Sequence, residues 1–270
     1  MRNPLIHLML VAGMVSATSA QAIVIDGNLS DWGVQQNAGA NGWTPNNGVH
    51  YTVEDQNTSY LNPGYGGQAY DAEAIYAMVD GGKLYIALAT GHNPNTLQKP
   101  SANSFGAGDF AIDFGRDGDY ELGINIKHMT ASGKEAFGLE GGVYGNASWA
   151  LGLWNSAGAH DPNHADPKNP TYLTGGDLLG MASLAYTTTG QTGFGQWTTD
   201  THYFYEMSIG LDLLTAAGWD GNPFNIHWTQ NCANDSIIVD PPANVPEPGT
   251  LALLPLGLVG LAALRRRRSA

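Results

Sequence analysis

A single cysteine, Cys232, in 270 residues excludes a disulfide framework within the chain. Basic residues are scarce as well. Eleven Lys and Arg stand against 24 Asp and Glu, a net charge of −13 that excludes a nucleic-acid partner. No apolar run reaches the roughly 18 residues that read as a full membrane span. Neither a G-x-S-x-G elbow nor an H-E-x-x-H pair occurs, so the commonest hydrolase signatures are missing. What is abundant is glycine (36) and proline (14), far more than a helical bundle tolerates.

The two ends read as addresses. Arg2, an apolar run over residues 5–15 and the small residues Ala20 and Ala22 have the layout of a secretory signal peptide, 1–22, removed by signal peptidase to leave Ile23 first. At the other end, Pro246-Glu247-Pro248 precedes an apolar run to Leu264 and then four arginines, Arg265, Arg266, Arg267 and Arg268. As a helix, 250–264 would span ~22 Å against a ~30 Å hydrocarbon core, a marginal anchor with a strong basic stop. These three parts, in this order over 241–270, resemble the PEP-CTERM sorting signal of Gram-negative bacteria. The resemblance implies recognition of Pro246, Glu247 and Pro248 by an exosortase, removal of the tail, and a membrane association that ends with processing. Residues 23–244 keep six basic groups against 23 acidic ones, a net of −17.

Between the ends, period-2 patterns dominate and predict an all-β fold, an antiparallel β-sandwich over 23–240. Residues 74–79 and 84–89, separated by Asp80-Gly81-Gly82, read as a hairpin. Residues 109–114 and 120–126 read as a second pair. Further strands are expected at 136–144, 149–154, 179–187, 201–209 and 224–230, with one two-turn helix at 211–217. Residues 34–68 and 155–176 read as long polar loops, of the kind that carry function.

Ile25-Asp26-Gly27-Asn28-Leu29-Ser30-Asp31-Trp32 opens the mature chain. It resembles the start of family 9-type carbohydrate-binding modules and their DOMON-like relatives. Shorter similarities follow at Tyr70-Asp71-Ala72-Glu73, at 108–124, at Tyr205-Glu206-Met207 and at 227–235. The resemblance implies a jelly-roll-like sandwich and structural calcium but no known substrate; the aromatic residues are what make a glycan such as exopolysaccharide the candidate partner.

Two acidic groups are candidate Ca²⁺ ligands. Asp117, Asp119 and Glu121 alternate in a turn entering a strand, with Asp113 four residues before; hard oxygens at this spacing suit calcium, and a solvated turn explains them equally. Asp71 and Glu73 would share one strand face and repel unless a cation intervenes; Asp235, with Asn234, is expected to join them. Asp26 and Asp31 read as turn-makers for the opening motif. His160 and His164 lie in a Pro-interrupted loop that lacks a third fixed ligand. His227 reads as a hydrogen-bonded core or groove residue and Cys232 as a small buried one.

Seven tryptophans and twelve tyrosines are many for this size. Trp43, Trp154 and Trp197, in or beside polar loops, are the candidate sugar-stacking residues, with core packing the alternative for each. Three functions fit: a non-enzymatic, calcium-stabilised surface protein that binds glycan; an enzyme acting on polysaccharide; or a structural component of a biofilm or matrix.

Overall fold

The computed structural model describes residues 22–241 except 57, 58, 60, 62, 127–129, 132–136 and 155–168. The leader up to residue 21, the histidines at 160 and 164 and the sorting tail therefore lie outside the described residues.

The alternation at 74–79 and 84–89 becomes the hairpin of β2 (Ala72–Asp80) and β3 (Lys83–Thr90). Its two-residue turn is Gly81-Gly82 with φ of 55° and 79°, positions where a side chain would be strained. Before it comes β1 (His50–Val53), and after it β4 (Phe110–Phe114), β5 (Leu122–Ile124), β6 (Gly142–Leu151), β7 (Pro170–Met181), β8 (Ser183–Tyr186) and β9 (Tyr203–Gly210). A six-residue helix, α1 (Leu211–Ala216), leads to β10 (Phe224–Thr229) and β11 (Ser236–Val239). One sheet runs β1-β2-β3-β9-β8 and the other β11-β10-β4-β5-β6-β7, with every strand pair antiparallel. The expected β-sandwich is what forms.

Several boundaries differ from the sequence reading. The runs at 136–144 and 149–154 meet in the single strand β6, and the polar loop at 155–176 gives its last seven residues to β7. The run at 179–187 breaks at Ala182, whose N–H donates to the Gly141 carbonyl (2.7 Å) where the chain passes from one sheet to the other. Strand β1 falls within the segment read as a polar loop, and β11 is the four-residue run Ser236-Ile237-Ile238-Val239, too short to stand out. Their edges meet through Thr52 Oγ1, which donates to the Ile238 carbonyl at 2.6 Å.

The inner faces bury Ile75, Leu84, Ile86 and Leu88 against Phe110, Ile112, Ile226 and Trp228. The outer face of the first sheet is buried too. Residues 23–49 lay Leu29, Trp32, Val34 and Trp43 over Ala74, Tyr76, Ala87 and Phe204. This explains why β2 is apolar on both faces, where a one-sided sheet would alternate with polar residues.

The sandwich has two distinct ends. At one, the start of β2, the end of β3 and the turn from β10 to β11 are tied together. Gln230 Nε2 donates to the Tyr70 carbonyl (2.9 Å) and Gly64 N–H to that of Asn234 (2.7 Å). At the other, Gly115 N–H donates to the Pro223 carbonyl (2.9 Å) and Arg116 Nη1 lies 3.5 Å from Asp240 Oδ2. Strand β11 runs from the first end to the second, so the chain leaves toward the sorting tail from the second.

Candidate functional site

The first end carries a buried acidic cluster. Ala72 pairs with Thr90 and Ala74 with Ala89, leaving Glu73 as the extra residue of a β-bulge. Asp71, Glu73 and Asp235 are all fully buried. Asp235 accepts Ala72 N–H through Oδ2 (2.6 Å) and Ser236 N–H through Oδ1 (2.9 Å), which locks the closing turn onto the start of β2. Glu73 Oε1 accepts Gln68 Nε2 (2.7 Å) and lies 3.1 Å from His202 Nδ1. The Asp71 and Asp235 carboxyl groups meet side by side.

This cluster is short of donors and of positive charge. Among the described residues, no lysine or arginine pairs with these carboxylates. Both Asp71 oxygens, Glu73 Oε2 and Gln230 Oε1 are buried and take no N–H or O–H. Burial, then Glu73, Asp235 and Glu54, push the Asp71 carboxyl up to about 10. Asp235 is held well above the usual carboxylate range by burial first and Glu54 second. Burial raises Glu54 to about 7. Carboxylates buried this way require either protons or a cation. Among the described residues no three His, Cys, Asp or Glu side chains already converge as metal ligands. A calcium ion there would take two carboxylates and complete its shell with amide and backbone oxygens, which calcium accepts.

Asn234, expected with the acids, is placed elsewhere. Its Nδ2 donates to the Tyr65 carbonyl, turning the amide toward an aromatic pocket. The second acidic group closes its own turn. Asp113 accepts Asp117 N–H (3.1 Å) and Gly118 N–H (2.8 Å), Asp117 accepts Asp119 N–H (3.0 Å), and Glu121 accepts Phe114 N–H (2.8 Å). The turn thus uses the carboxylates of Asp113, Asp117 and Glu121, and of Asp119 only the backbone N–H.

Of the three candidate tryptophans, one joins a pocket. Trp154 packs on Tyr65 (ring centroids 5.6 Å apart) in a pocket of about 310 Å³ that also includes Tyr70, Asn103 and Asn234. Gly64 permits this approach, since a Cβ there would lie 2.8 Å from Trp154 Nε1. Trp43 is corrected to core: it is wholly buried, stacked on Phe194 at 5.8 Å, and out of reach of any ligand. Its neighbours are polar in sequence, but it covers the apolar outer face of β2. Trp197 is 42% exposed and lines neither this pocket nor the one beside it. Tyr65 and Tyr70 escaped the sequence reading. The signal was there in the run Tyr60-Leu61-Asn62-Pro63-Gly64-Tyr65-Gly66-Gly67-Gln68-Ala69-Tyr70, which repeats tyrosine every fifth residue.

Three further buried groups complete the account. Asp109 accepts Ile126 N–H (2.6 Å) and Leu173 N–H (2.8 Å), stapling β7 to the chain beyond β5. His227 is buried as expected, but neither ring nitrogen has a partner among the described residues, and burial lowers it to about 3. Cys232 is buried, and its thiol is pushed up to about 12.

No curated protein is similar enough to the chain to count as a relative. Residues 244–268 match the PEP-CTERM protein-sorting motif, which supports an exported chain that an exosortase sorts to the cell surface.

Proposed function

We propose that the sandwich is a non-enzymatic, surface-displayed module that binds glycan in the pocket of Trp154, Tyr65 and Tyr70, with calcium supporting the pocket from the acidic cluster behind it. The observation that carries this reading is the pocket itself. Flat aromatic faces stack on the C–H faces of sugar rings, while Asn103 and Asn234 offer amides for hydroxyls. The pocket lies at the end of the sandwich opposite Arg116 and Asp240. The opening motif's resemblance to family 9-type modules supports the same reading. Calcium is supported by the donor-poor oxygens of Asp71 and Glu73, which a dication would satisfy.

The test is to apply the processed protein to a panel of neutral and acidic polysaccharides, with release of reducing ends followed in parallel. Retention without turnover is the expected result. Turnover would make the protein a polysaccharide-active enzyme, and neither retention nor turnover would leave a structural matrix component.

A further inference from the structure

Tyr70 stands between two pockets. On one side is the pocket of Trp154 and Tyr65; on the other is one of about 430 Å³ lined by His92, Asn93, Thr96, Gln68 and Tyr203. The partition is rigid. Tyr70 ends a single 3-10 turn, Gln68–Tyr70; its hydroxyl donates to the Asn103 carbonyl (3.4 Å) and its own carbonyl accepts Gln230 Nε2. Its ring meets that of His92 edge-on, with centroids 5.7 Å apart.

The second pocket is backed by a neutral wall, with two buried acceptors behind it that have no donor among the described residues. His92 is 1% exposed, and its Nε2 lies 2.8 Å from the Phe105 carbonyl, so Nε2 carries the hydrogen. Burial keeps the ring neutral, lowering it to about 4. Nδ1 of a neutral ring with Nε2 protonated is a bare lone pair, and among the described residues nothing donates to it. Gln68 Oε1 is buried and undonated in the same way. Asn93 Nδ2 already donates to the Tyr203 hydroxyl at 3.1 Å, which steadies that wall.

Charge narrows the ligand further. Residues 23–244 carry 23 acids, yet neither pocket is lined by a charged side chain. A cation gains no carboxylate there and an anion meets no basic group. The fitting ligand is neutral, bears hydroxyl donors, and is long enough to lie on both sides of Tyr70.

We propose that the two pockets are consecutive subsites of one groove, which takes a neutral glycan chain of at least two rings, one ring against Trp154 and Tyr65 and the next across Tyr70 against Asn93, Thr96 and Tyr203. This rests on the glycan reading above and adds chain length and neutrality to it.

The experiment titrates the processed protein with neutral β-1,4-linked gluco-, manno- and xylo-oligosaccharides of one to six rings. Affinity for the recognised series rises about tenfold or more between one ring and three, then levels off (about 1.4 kcal/mol per tenfold). Thr96→Tyr fills the second pocket from its rim without touching the buried histidine. This variant brings three-ring affinity down to that of one ring. Affinity independent of length, or unmoved by Thr96→Tyr, overturns the two-subsite groove while the single-pocket reading stands. No binding at any length in any series overturns the glycan reading and the groove with it.

Discussion

The Glu206 carboxylate accepts the Trp32 indole N–H through Oε1 at 2.7 Å, joining residues 174 positions apart. Its other oxygen accepts the backbone N–H groups of Gly27 (2.5 Å), Asn28 (3.0 Å) and Asp26 (3.1 Å). One buried acid in β9 thus holds the whole opening motif against the outer face of the first sheet. Asp31, from within that motif, accepts Val24 N–H at 2.7 Å and tightens the same segment.

Glu206→Gln should therefore destabilise strongly. The amide offers one acceptor oxygen where four donors converge and sets an NH₂ against the others. A loss of about 3 kcal/mol is expected, since hydrogen bonds to a charged group contribute about 1.5–3 kcal/mol each and the remaining donors go unmet. Urea unfolding checks it, with Trp32→Phe as the milder variant that removes one donor and keeps most of the packing.

Calcium should raise the melting temperature through the acidic cluster. A ligand specific to the folded state adds about 2.7 kcal/mol at one hundred times Kd, a shift on the order of 5 °C or more for this size. Asp71→Asn should melt higher than wild type in chelator, because it removes the cost of protonating a buried carboxyl while keeping a partner for Asp235, and should lose the calcium shift. Asp117→Ala with Asp119→Ala should leave that shift intact. A melt unchanged by chelator or calcium, with magnesium as control, would remove the ion from this account.

The metal-free protein should lose stability as pH rises from 7 to 9. Asp71, pushed up to about 10, keeps its proton in the fold and releases it on unfolding. The folded state therefore binds more protons in this window, and the linkage slope is negative. Thermal melts in chelator at pH 7, 8 and 9 measure it, and Asp71→Asn should make the trend shallower, with Asp235 contributing the rest.

Trp43→Ala and Trp154→Ala should separate fold from binding. Trp43 is core, and its truncation is expected to cost about 3–5 kcal/mol. Trp154→Ala should abolish retention on glycan while moving the unfolding midpoint much less. Equal losses of stability from both would show that Trp154 is a packing residue.

Processing has its own readout. Intact mass of protein from an exosortase-bearing host should correspond to a chain that begins at Ile23 and lacks Arg265 to Arg268. A surface species that retains the arginines would contradict removal of the tail.

Much of the fold could be read from local patterns because local patterns cause it. The Gly81-Gly82 turn supplies the positive φ values that a tight hairpin needs, and alternation on either side sets its register. The gathering of Asp71, Glu73 and Asp235 was readable from like charges that require company. Glu206 was not, since a lone acid among apolar neighbours says nothing of the four donors that the opening segment brings to it. Trp43 misled because its sequence neighbours are polar while its spatial neighbours are Phe194 and the outer face of β2.

By itself, then, the sequence determined the class of fold, the export address and the acidity, all of which depend on composition, short-range periodicity and contiguous motifs. Only the tertiary structure decided which aromatic residues are core and which line a pocket, that Asn234 leaves the acids for Tyr65, and that Tyr70 lines two pockets. Those outcomes depend on which segments cover which sheet face, and burial is a property of the assembled sandwich, set by contacts between residues far apart in the chain.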